Sequence, residues 1–146
     1  MAGTNTSFIP KILVFSSEKI SDPAIDLAGL LKKHYPPSVF NISIPCTSGV
    51  KPRWILHALR SGIDGVFIAS DGTDCAYRQD CSEITSLAIQ EAQRQMEKEG
   101  INVARVKMGA VCSVCADPFV NHMKGFMQSL AEMGSVKDEL AGKSEQ

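Results

Sequence analysis

Four short apolar runs, each followed by a segment of helical periodicity, constrain this chain more than any other feature. The runs are residues 11–16 (Lys-Ile-Leu-Val-Phe-Ser), 39–45, 65–70 and 103–111. The first and third are short apolar stretches of the kind that strands buried on both faces show. After the first, Ser21-Asp22-Pro23 offers a cap and a first-turn proline, and Ala24, Leu27, Ala28 and Leu31 keep helical spacing until Pro36-Pro37. Lys51-Pro52 opens a second helix with a stripe of Ile55, Ala58 and Leu59 and a stop at Gly62. Ser82 caps a third, with Ile84, Leu87, Ala88, Ala92 and Met96 on one side and Gly100 at its end. Asp117-Pro118 starts the last, whose Phe119, Met123, Met127 and Leu130 face inward before Gly134. Strands alternating with helices require crossover connections, which are almost always right-handed, and so a parallel sheet. The expectation is a three-layer α/β domain, flavodoxin-like or Rossmann-like, over residues 1–134. Its four parallel strands take the order 2-1-3-4, and residues 135–146 are a polar, flexible tail.

A chain of 146 residues buries an ordinary single core without a metal or disulfide to staple it, which leaves its thiols available for function. Fifteen basic against 16 acidic residues give a net charge of -1, and with no basic stripe or aromatic ladder the footprint of a nucleic-acid binder is missing. Apolar runs fall far short of the roughly 18 residues of a membrane span, and residues 1–7 are small and polar. A cytoplasmic protein is expected. No glycine follows the first strand, where the chain reads Ser16-Ser17-Glu18-Lys19-Ile20, so a tightly held nucleotide or flavin is disfavoured.

All five cysteines follow a strand end: Cys46 after the second, Cys75 and Cys81 after the third, Cys112 and Cys115 after the fourth. In an open α/β sheet these ends line the rim where such folds bind ligands. In a reducing compartment an odd set of thiols containing a Cys-x-x-Cys points to metal or redox chemistry rather than a disulfide framework. Cys112-Ser113-Val114-Cys115 is the sharpest motif, and Cys115 lies just ahead of a helix start that favours thiolate. Cys75 and Cys81, on the long loop of residues 71–81, complete four thiolates, the complement of a 2Fe-2S cluster or a structural zinc. Redox-active thiols remain open. The stretch Cys46-Thr47-Ser48-Gly49-Val50-Lys51 resembles an anion loop but lacks the arginine such a cradle needs. His34, His57 and His122 have no ligand spacing and read as surface or half-buried helix residues. Trp54, in the first turn of the second helix, either covers the sheet edge or meets a partner.

Pro10-Lys11-Ile12-Leu13-Val14-Phe15, Asp26-Leu27-Ala28-Gly29, Tyr35-Pro36-Pro37, Cys46 with Gly49 and Pro52, Gly65-Val66 and Asp74-Cys75-Ala76-Tyr77 resemble the delta subunit of methyl-viologen-reducing hydrogenase. The order is kept over most of residues 10–134. The resemblance implies a small 2Fe-2S protein passing electrons between a hydrogenase or other donor and the flavin subunit of heterodisulfide reductase. Its partners would be flavin and iron–sulfur subunits, met through Trp54 or the tail. Where that family has a Cys-x-x-Cys after the first strand, this chain has Ser17 and Ile20, and the family's cysteine ahead of Asp74-Cys75 is also missing. Cys46 and Cys75 match the family; Cys81, Cys112 and Cys115 are this chain's own. Loops from adjacent strands, about 5 Å apart, favour Cys75, Cys81, Cys112 and Cys115 as the quartet. Cys46, roughly 14 Å away at the sheet, is the alternative ligand. Two other readings stand beside the cluster: a docking subunit with zinc or no metal, and a thiol or sulfur-transfer protein acting through Cys112 and Cys115.

Overall fold

The computed structural model describes residues 8–17, 38–70, 81–110 and 116–144. Its strands are β1 (Ile12–Ser17), β2 (Val39–Ile44), β3 (Gly65–Ser70) and β4 (Val106–Ala110), all parallel, in the order β2-β1-β3-β4. The helices are α1 (Pro52–Arg60), α2 (Cys81–Glu99), α3 (Ala116–Met133) and α4 (Val136–Ser144). This is the α/β topology expected from the alternation of runs. The helix expected before Pro36-Pro37 and most of the long loop lie outside the described residues. Gly62, Gly100 and Gly134, read as helix stops, all take positive φ, between 76° and 105°, the left-handed cap that glycine adopts without a Cβ penalty.

Pleating sends alternate residues to opposite faces, and two cores result. Phe15, Val66 and Ile68 meet Ile55 and Leu59 of α1 and Ala92 and Met96 of α2. On the other face Ile12, Val14, Phe67 and Ala69 meet Phe119, Met123, Phe126 and Leu130 of α3. Here α3 lies close to the sheet because β3 begins with glycine: a Cβ on Gly65 would stand 2.5 Å from Leu130 Cδ1 and 2.8 Å from Phe126 Cζ. Gly125, in the exposed middle of α3, has nothing within 4 Å. Alanine at the two positions should therefore act with opposite signs in thermal unfolding. Gly65→Ala is expected to cost about 1–3 kcal/mol through overpacking, and Gly125→Ala to add about 0.5–1 kcal/mol through helix propensity.

Two expectations change at the amino ends of the strands. The fourth apolar run opens with a 3-10 turn, Val103–Arg105, before β4 starts at Val106. The Asn102 side chain accepts from the Ala104 amide at 2.9 Å, and the turn carries Arg105 inward, where it is fully buried. Its guanidinium donates to the Asp64 carbonyl (3.0 Å), the Gly134 carbonyl (2.7 Å) and the Glu139 carboxylate (2.6 Å). Asp64, also buried, accepts from the amides of Lys11 and Val136, each at 3.0 Å. This network fastens the segment read as a tail, which forms α4 and buries Val136.

Candidate functional site

At their carboxyl ends β1 and β3 change from apolar residues to serine, and these hydroxyls, with Thr47 and Thr85 of the adjoining segments, stay inside. Ser16, Ser17, Ser70, Thr47 and Thr85 are all buried, and buried hydroxyls are kept only where they find partners. Ser16 Oγ lies 3.0 Å from Asn41 Oδ1, and Ser70 Oγ donates to the Gly109 carbonyl at 3.4 Å. The carboxyl rim is thus a polar layer closing an apolar sheet. The sequence named Ser17 only as the place of a missing thiol and Thr47 only within the stretch from Cys46 to Lys51; the signal for a buried polar layer was serine ending the first and third apolar runs.

Cys46 sits on this rim. It follows β2 in extended backbone (φ -155°, ψ 137°) and caps the 3-10 turn Thr47–Gly49. The Gly49 amide donates to the Cys46 carbonyl at 2.9 Å, and Cys46 Sγ lies 3.1 Å from Ser48 Oγ. The thiol is half-buried beside a recess of about 260 Å³ that Ile44, Pro45 and Trp54 also line. The amino-terminal part of α2 packs on the same 3-10 turn, with Thr85 Oγ1 3.5 Å from Thr47 Oγ1. Cys81, expected at the end of a loop, is the first residue of that helix. The backbone therefore brings the positions of Cys46 and Cys81 to one rim. Cys75, Cys112 and Cys115 lie outside the described residues; the last two belong to the link between Ala110 of β4 and Ala116 of α3. Ser17, where the resemblance would place a thiol, is the buried last residue of β1. Among the described residues no three His, Cys, Asp or Glu side chains gather closely enough to hold a metal ion.

Trp54 covers the sheet, tilting against Phe15 with ring centroids 6.1 Å apart, and is 39% exposed. His57 is exposed and His122 half-buried. The His122 ring lies against Phe67, centroids 5.2 Å apart, under Gly109, whose absent Cβ would meet it at 3.0 Å. Burial, with a smaller push from Lys107, lowers its pKa below the ordinary imidazole value. The unfolded chain then takes up this proton first, so the contribution of neutral His122 is complete above about pH 6.5 and declines as pH falls from there toward the lowered folded value. Urea midpoints measured between pH 7 and pH 5 should fall with pH, and His122→Gln should flatten that dependence. An unchanged slope in the variant would assign it to other groups.

No helix among the described residues is long and apolar enough to cross a membrane. Residues 12–134 match the model of the family described as methyl-viologen-reducing hydrogenase, delta subunit. An F420-non-reducing hydrogenase iron-sulfur subunit of Methanopyrus kandleri is 32% identical over 126 residues, covering 86% of this chain and 95% of its own. The corresponding iron-sulfur subunit of Archaeoglobus profundus is 27% identical, over 89% of this chain and 95% of its own. A longer relative, a ferredoxin:CoB-CoM heterodisulfide reductase subunit of Methanosarcina mazei, is 26% identical over 95% of this chain, which spans only 18% of that protein. With the match running from the first strand to the end of α3, the chain belongs to the methyl-viologen-reducing hydrogenase delta subunit family.

Proposed function

We propose that this chain is the electron-transfer subunit of a heterodisulfide-reductase-like complex, relaying electrons between a donor module and a flavin subunit in the cytoplasm. What carries the reading is the coincidence of family membership over residues 12–134 with five cysteines that all follow strand ends. Relatives of nearly the same length are named iron-sulfur subunits. In others the matching stretch forms 17–18% of a much longer heterodisulfide reductase subunit, which supports a place beside such a protein here.

A 2Fe-2S cluster bound to the rim thiolates would supply a one-electron centre. The chain's own part is to hold it and to keep water away. Because β3 and β4 are neighbours, about 5 Å apart, their carboxyl ends lie side by side, which supports Cys75, Cys81, Cys112 and Cys115 as ligands. Cys46 follows β2, three strand positions from β4, or roughly 14 Å, and is the alternative ligand. One observation favours a second reading, a docking subunit with zinc or no metal: a buried hydroxyl, Ser17, stands where the resemblance implies a thiol. Anaerobic purification and reconstitution, with counts of iron, zinc and sulfide and a visible spectrum, separates the two. Iron and sulfide in equal amounts support the relay. A colourless, iron-free protein ends that reading and leaves the docking subunit.

A further inference from the structure

We propose that the trough between α1 and the β1–β2 edge of the sheet is the seat of an amphipathic helix from a partner protein, one bearing carboxylates along one flank. The inference rests on the reading of this chain as part of a multisubunit complex and adds the surface through which it is held.

The trough encloses about 830 Å³, with Leu13, Phe15, Ile42 and Ile44 as floor and Trp54 and Ala58 on its wall. It exists because of the strand order. The chain crosses from β2 over β1 to β3, and α1 and α2 pack on the β1, β3 and β4 part of this face. Among the described residues no helix covers the β2 side. Phe40 is 50% exposed and Ile42 46%, on the face where Leu13 and Phe15 are partly or fully buried. Contiguous apolar surface of this kind marks an interaction site.

Charge and shape narrow the occupant. Arg53, His57 and Arg60 line the trough, and no acidic side chain does so among the described residues. Arg60 is already paired, its guanidinium forked onto Glu99 of α2 at 2.7 and 2.8 Å, which leaves Arg53 as the cation of the wall, with the His57 imidazole beside it. A partner with carboxylates opposite them gains complementarity and register. A strand added to the edge of β2 would leave Phe40 and Ile42 uncovered on this face. A helix lying beside α1 completes the layer at the usual interaxial distance of about 8–10 Å. Six residues of β2 run about 20 Å, the length of a helix of about 13 residues.

The test uses this chain and the purified flavoprotein component of the heterodisulfide-reductase-like complex from the same source, with affinity measured at low and high salt. Ile42→Asp should weaken binding by roughly tenfold or more. Arg53→Glu should weaken it by roughly threefold to tenfold and reduce its dependence on salt. Leu87→Asp, the same kind of change at an exposed residue of α2 away from the trough, should bind as the parent does. Thermal melts establish that each variant is folded. If the parent chain binds and both trough variants bind equally well, this inference is overturned while the proposed function stands. If the parent does not bind, both fall. A parent dimer that Ile42→Asp dissociates in light scattering would give the trough to a second copy of this chain and also overturn the proposal.

Discussion

Replacing Arg105 with methionine is expected to lower the unfolding free energy by about 3–5 kcal/mol, the usual cost of removing one member of a buried charged network. Arg105 is fully buried and bonds to three different segments: the residue ahead of β3, the glycine that ends α3, and the first turn of α4. Methionine fills much of the volume but leaves the carbonyls of Asp64 and Gly134 without this donor, each worth about 1–3 kcal/mol when stranded. Glu139 is only partly buried and keeps its contact with the Asn102 amide at 3.2 Å. Glu139→Gln keeps an acceptor for the buried guanidinium but removes its carboxylate charge, and should cost less than Arg105→Met, on the order of 1–3 kcal/mol. Urea titration followed by far-UV dichroism gives both values. Limited proteolysis should find α4 released first in Arg105→Met, since its docking loses the most bonds. A loss below about 1 kcal/mol in Arg105→Met would mean that the network is replaceable by packing, as some buried ion pairs are.

Removal of a single thiol has the other large effect. Cys112→Ser or Cys115→Ser should bring reconstituted iron to background and erase the visible absorption, because a serine hydroxyl does not replace a thiolate on a 2Fe-2S cluster. Cys75→Ser and Cys81→Ser should do the same. Cys46→Ser should retain most of the iron, because β2 is separated from β4 by two strands and its thiol already has a partner in Ser48 at 3.1 Å. The variants should leave melting of the iron-free protein nearly unchanged, which distinguishes ligand loss from misfolding. Iron lost in Cys46→Ser and kept in Cys81→Ser would exchange these two residues in the ligand set. Iron kept in all five would place the metal elsewhere.

The strand order and the helix stops were legible in the sequence because each rests on local chemistry. The apolar stretches of β1 and β3 are those of buried strands and the alternation in β2 is that of a half-buried one, crossover handedness then limits the order, and glycine at positions 62, 100 and 134 marks helix ends by its positive φ. Cys46 was legible at the carboxyl end of β2 for the same reason, since it follows a run. Arg105 was not. It sits inside what reads as one apolar stretch from Val103 to Val111, and nothing local tells an arginine that breaks a strand from one that points to solvent. What turns it inward is a pair of carbonyls and a carboxylate separated from it by 29 to 41 positions in sequence.

The same distinction applies to residues 135–146. Their polarity suggested a tail, and a polar helix has no stable form by itself; Val136 and Glu139 acquire a place only once Asp64 and Arg105 are assembled at the amino rim. The exposed face of β2 is a further case. Phe40, Ile42 and Ile44 alternate with polar residues as in any half-buried strand, and their uncovered state follows from β2 lying at the edge of the described sheet. By itself, then, the sequence determined the four parallel strands, their order and the glycine helix stops, because periodicity, capping and handedness act over a few residues or one crossover. Only the tertiary structure decided which charges are buried, which segment is docked and which apolar face is left open, because those depend on which distant residues the fold brings within a hydrogen bond of one another.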